Sequence, residues 1–183
     1  MIFIKLITAL AFVAAICASN TTPASARTWK TTSVDLAREF AIIDDQRTPQ
    51  ELVRVIWLTP KMVPLGQGSV LAKELLTDYL VIGIIHLVIS EGGNVNYPTI
   101  ISPIIELRGR GALPPTAIDA LNPEASKFIV AIQEFMSKSF GEMGEGMHWS
   151  IYNGDGIDSC RTGEIIVPYD GERYNYNLPI PGC

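Results

Sequence analysis

Met143, Met147 and His148 fall close together in the stretch GEMGEGMHW. Thioether sulfur and imidazole nitrogen suit copper, above all the reduced ion, and a protein outside the cytoplasm can meet it. A copper site on these residues is one expectation. The plainer one is that Gly141, Gly144 and Gly146 make a loop, Met147 and Trp149 enter the core as strand residues, and His148 faces water.

Other clusters are weaker. In NGDGIDSCRTGE, Asn153, Asp155 and Glu164 hold the first, third and twelfth places of a calcium loop, but Ile157 stands at a ligand place and Asp158 where the glycine belongs. A tight hairpin turn over 153–156 is expected instead. Glu142 and Glu145 are a nominal carboxylate pair for glycoside hydrolysis, yet their spacing in a glycine-rich stretch sets no separation. The chain has two histidines, no G-x-S-x-G and no H-E-x-x-H. A hydrolase would therefore have to place His86 or His148 beside a serine or an acid in a pocket. The glycines of RGRGALPP carry no phosphate-loop pattern.

Five aromatic residues crowd the carboxy-terminal part: Trp149, Tyr152, Tyr169, Tyr174 and Tyr176. Alternate residues of a strand share a face, so Tyr174 and Tyr176 lie side by side with Asn175 and Asn177 opposite. Rigid, large, amphipathic rings are favoured at recognition surfaces, and these five are the expected binding surface. The same rings would also serve to seal the edge of a core.

Export is expected from the first residues. Lys5 precedes an apolar run from Leu6 to Ala18, and small residues at Ala24 and Ala26 suit cleavage after Ala26, leaving 27–183 as one domain. That run is too short to span a bilayer, and no longer one follows. Ile16 before Cys17 is too bulky for a lipoprotein site. Removal of Lys5 takes the formal charge from −5 to −6. An acidic chain with no Lys/Arg cluster is a poor partner for nucleic acid. Cleavage leaves Cys160 and Cys183, an even pair that predicts a disulfide; closing that loop is worth about 3 kcal/mol. Cys160 has no neighbouring histidine to make it a nucleophile.

The elements that must position these residues follow from patterning. The content is 48% hydrophobic and 18% charged, enough for a real core. Leu36, Phe40 and Ile43 have helical spacing, and Thr48-Pro49-Gln50-Glu51 reads as a capping box opening a helix PQELVRVIWL, although its β-branched residues favour a strand. SVLAKELLTD reads as a short helix. YLVIGIIHLVIS is apolar on both faces, a central strand covered on both sides. EGGN makes a turn, and YPTIISPIIEL a second strand kept to an edge or broken by Pro98 and Pro103. Asn122 and Pro123 open an amphipathic helix over about 123–140, whose stripe of Phe128, Ala131, Ile132, Phe135 and Met136 needs a flat apolar partner. MHWSIY, GEIIVPY and ERYNYN read as short strands.

Helices and strands do not alternate regularly, so the expected fold is α+β, a single domain with a mostly antiparallel sheet packed by the long helix and shorter amino-terminal helices. The expected function is that of an exported bacterial-type protein, periplasmic or secreted, which binds a protein or envelope ligand through the aromatic surface without catalysis. Copper binding and hydrolysis are the alternatives.

Overall fold

The structure, a computed structural model, describes residues 41–48, 50–62, 69–154, 157–161 and 163–179. The expected leader, Lys5, Cys17, Leu36, Phe40, Asp155 and Cys183 lie outside the described residues. Strands β1 (Ala41–Thr48) and β2 (Glu51–Leu58) form a hairpin in which Thr48 pairs with Glu51. The helix expected over PQELVRVIWL is thus corrected to a strand, while of the one expected around Leu36, Phe40 and Ile43 only the last residues, from Ala41 on, are described, and they are strand. Val53, Val55 and Trp57 alternate inward along β2, a period of two that no helix face can bury. Ile43 lies in β1 and is 55% exposed.

Helix α1 (Ser69–Asp78) leads directly into β3 (Tyr79–Ile89), as expected. Strand β3 is flanked by β2 along one side and, on the other, by β7 (His148–Asn153) near its start and β4 (Val95–Asn96) at its end. All pairings in this first sheet are antiparallel. The expected second strand shrinks to β5 (Ile105–Leu107), and residues 97–104, which include both prolines, are extended without ladder bonds. A second antiparallel sheet runs in the order β6 (Gly111–Leu113), β5, β8 (Gly163–Tyr169), β9 (Glu172–Leu178).

Helix α2 (Pro123–Phe140) is capped as its sequence predicts: Asn122 accepts a hydrogen bond from the Ala125 N–H at 2.7 Å. A short α3 (Glu142–Glu145) follows. Gly144 is required there, because a Cβ would stand 2.0 Å from the Met136 carbonyl oxygen.

The first sheet is buried on both faces, as the two-sided apolar pattern of β3 requires. One face, with Val53, Val55, Ile82 and Ile84, meets Ile165, Val167, Tyr174 and Tyr176 of the second sheet. The other, with Val81, Ile85, Trp149 and Ile151, takes Leu75 and Leu76 of α1 and Ala125 and Ile129 of α2. The fold is α+β, a single domain in three layers: sheet, sheet, helices.

Candidate functional site

The aromatic residues expected at a recognition surface lie inside. Trp149, Tyr152, Tyr174 and Tyr176 are buried and Tyr169 is half-buried. Tyr174 and Tyr176 do share a face of β9, but that face is the inner one. The physical reason lies in their hydroxyls, each of which bonds a group near the opposite sheet. Tyr176 donates to the Val55 carbonyl at 3.0 Å and Tyr174 to Asp44 at 2.9 Å. Tyr152, on the first sheet, donates to the Pro103 carbonyl at 2.9 Å, just before β5. Tyr169 stands 2.9 Å from Nδ1 of His86 on β3. A ring that crosses the gap and a hydroxyl satisfied on the far side make these residues ties between layers. Burial pushes the Tyr152 phenol up to about 12 and also raises those of Tyr169, Tyr174 and Tyr176.

His86 anchors a charged cluster that sequence reasoning missed. Its Nε2 lies 2.7 Å from Glu51, the residue expected in a capping box. Since a carboxylate only accepts, Nε2–H donates to Glu51, and Nδ1 shares a hydrogen bond with the Tyr169 hydroxyl. Glu51, His86 and Asp170 offer ligand atoms within 4.8 Å of one another, a metal-like grouping. Arg47 already occupies its charge: Nη1 is 2.8 Å from Asp170 and 3.3 Å from Glu51. A guanidinium at that place opposes a cation, so the cluster is an ion-paired link between β1, β2, β3 and the β8–β9 turn. The register across β2 and β3, where Glu51 pairs with Val88 and Val53 with His86, sets Glu51 and His86 two rungs apart on one face, within diagonal reach.

The copper triad does not assemble. Met147 and Trp149 are buried against the helices, whereas His148 alternates to the other face of β7, and Met143 on α3 is 43% exposed. His148 is also corrected from facing water: it is half-buried, and its Nε2 lies 2.8 Å from Ser102 Oγ, which accepts from Ser150 at 2.9 Å. Burial lowers the His148 pKa and so favours the neutral ring. A serine–histidine contact exists, but among the described residues no carboxylate is bonded to Nδ1 to complete a triad. Glu145, on the short α3, accepts from Ser137 at 3.1 Å and lines an open depression with Val130, Gln133, Glu134 and Lys138.

A cavity of about 310 Å³ lies at the end of the first sheet. Trp57, Thr59 and Lys61 come from β2 and the 3-10 turn after it, Leu76 and Thr77 from the end of α1, Tyr79 and Leu80 from the start of β3. Ile157, Asp158, Ser159 and Arg161, between β7 and β8, close it. That segment docks through the Gly154 N–H, which donates to the Asp78 carbonyl at 2.9 Å, and the Ile157 N–H, which donates to Gly154 at 2.8 Å. A Cβ at Gly154 would stand 2.8 Å from the Leu80 nitrogen, so the approach needs glycine.

Thr59 and Ser159 are buried in the cavity wall. The Thr59 hydroxyl is fully enclosed and has no hydrogen-bond partner among the described residues. Asp158 holds the turn by accepting from the Cys160 N–H at 2.8 Å and lies 4.0 Å from Arg161. Cys160 sits at this rim with its Sγ 2.6 Å from Lys61 Nζ. The cavity was not legible in the sequence, because its residues come from three separated segments and none forms a motif. No protein-family model, curated protein or solved structure matches the chain.

Proposed function

We propose that the chain is exported, periplasmic or secreted, and acts there as a non-catalytic binding protein whose small-molecule ligand sits in the cavity beside Thr59. The export half rests on the leader-like 1–26 and on the pairing of Cys160 with Cys183, which would close the segment forming one wall. The binding half rests on one observation: a cavity of about 310 Å³ at the end of the first sheet combines the apolar side chains of Trp57, Leu76, Leu80 and Ile157 with the charged Lys61, Asp158 and Arg161. The volume falls in the range of small-molecule sites, and apolar walls with few polar groups are their usual makeup. The cavity contains no histidine and no base–nucleophile pair, so binding without chemistry is the reading it supports.

The test uses two fluorescent probes of one ring system, anilinonaphthalene sulfonate and uncharged N-phenylnaphthylamine. At least one should bind the wild type with an emission increase. Thr77→Trp, which changes an exposed lining residue into a plug, should abolish that binding and leave the fold intact by circular dichroism. If the plug changes nothing, or if neither probe binds, the cavity is no ligand site.

A further inference from the structure

Strand β7 sends His148, Ser150 and Tyr152 to one face, and all three meet the extended segment that runs before β5. Tyr152 donates to the Pro103 carbonyl and Ser150 to Ser102 Oγ, each at 2.9 Å. Both anchors are buried. Ser102 is thus clamped, with its Oγ 2.8 Å from His148 Nε2. Ser102 and His148 are themselves only half-buried, and the neighbouring Ile101 and Ile104 are exposed, so the pair borders solvent. His148 opens β7, at the end away from the cavity, whose Tyr79 and Leu80 pair with Asn153 and Tyr152.

We propose that Ser102 is an acyl acceptor: its hydroxyl takes an acyl group from an activated ester, with Nε2 of His148 as the base. The bond from Ser150 occupies one lone pair of Oγ, which leaves a second for attack and the proton of Ser102 for Nε2. Burial keeps the imidazole neutral, the form that can receive it. Oγ bonds to the carbonyl carbon as its proton passes to Nε2; the bond to the alcohol oxygen then breaks, and that oxygen takes the proton back. Ser102 is left as an ester, and nothing is oxidised or reduced. Among the described residues the N–H groups of Ile101 and Ser102 enter no backbone hydrogen bond, which leaves them to meet the oxyanion. With no carboxylate on Nδ1 to hold the imidazolium, the pair suits a single loading of Ser102 and not turnover. This modification site is independent of the cavity.

Treatment of the protein with 4-nitrophenyl acetate, an acid quench and peptide mapping by mass spectrometry read the acetyl group residue by residue. Ser102 should acetylate about a hundredfold faster than the exposed Ser139, which no histidine contacts among the described residues, because a positioned base is worth at least about that factor. His148→Gln keeps a side chain able to hydrogen-bond Ser102 but unable to take its proton. It should bring Ser102 down to the rate of Ser139 with circular dichroism unchanged. In the wild type the Ser102 rate should be level near neutrality and fall below about pH 6 as His148 protonates, a readout that needs no variant. The acetyl group should stay on Ser102 once the ester is removed. Equal rates at Ser102 and Ser139, a Ser102 rate untouched by His148→Gln, or a flat profile from roughly pH 5 to 8 each overturn the inference. An acetyl group that leaves Ser102 as fast as it arrives overturns it too, since that is turnover.

Discussion

Tyr176 is 3% exposed, its ring meets Trp57 edge-on at 5.7 Å, and its hydroxyl reaches the Val55 carbonyl. Truncation and deletion of the hydroxyl therefore separate cleanly. Tyr176→Ala should cost about 3–5 kcal/mol by removing a packed ring. Tyr176→Phe should cost about 1 kcal/mol, the net value of one hydrogen bond with its carbonyl left unpaired. Urea unfolding of the three proteins measures both. A Tyr176→Ala protein as stable as the wild type would return the ring to the surface. At this scale the sequence was legible as a pattern and opaque as a place. Alternation put Tyr174 and Tyr176 on one face, but only the second sheet makes that face an interior. Glu51 shows the same limit: its spacing from Thr48 suits a cap, and tertiary pairing with His86 displaced that local use.

Among the elements, β3 and β7 pair with Gly83 opposite Trp149. A Cβ at Gly83 would lie 2.5 Å from the Trp149 ring, which covers the glycine. Gly83→Ala should therefore destabilise by about 2 kcal/mol or more, as overpacking displaces the indole from its place between sheet and helices. Loss of Trp149 fluorescence polarisation together with a lowered thermal midpoint would mark the displacement; an unchanged midpoint would mean that the ring has room to move. Helix α2 and strands β3, β7, β8 and β9 were legible because each carries a complete local code, a cap with a stripe or an alternating run. The β1–β2 hairpin was not. Pro49 and Glu51 imitate a helix start, and the choice fell to β3, whose open flank β2 fills.

For the molecule as a whole, four phenols with raised pKa values bear on alkaline stability. An unfolded tyrosine ionises near 10, whereas burial holds Tyr152 neutral up to about 12 and shifts Tyr169, Tyr174 and Tyr176 the same way. Above pH 10 the unfolded chain loses protons that the folded chain keeps. Stability is thus whole below pH 10 and falls from there through the folded values. Tyrosinate absorbance for these four should rise together with the loss of far-ultraviolet circular dichroism, in one transition. Phenols that ionise near pH 10 in a fully structured protein would contradict the burial. The three-layer architecture itself was only half legible. The two-sided apolar run of β3 announced a covered sheet, and α2 announced one cover; the second sheet, built from short strands far apart in the chain, announced nothing until they paired.

The phenols of Tyr152, Tyr169, Tyr174 and Tyr176 also act as struts of equal length. Each spans the gap once and ends on an acceptor at its far side, and they point from both layers, Tyr152 against the other three. Sliding one sheet past the other by a single rung would break all four anchor points at once. The pair of sheets therefore resists shear as a braced frame does.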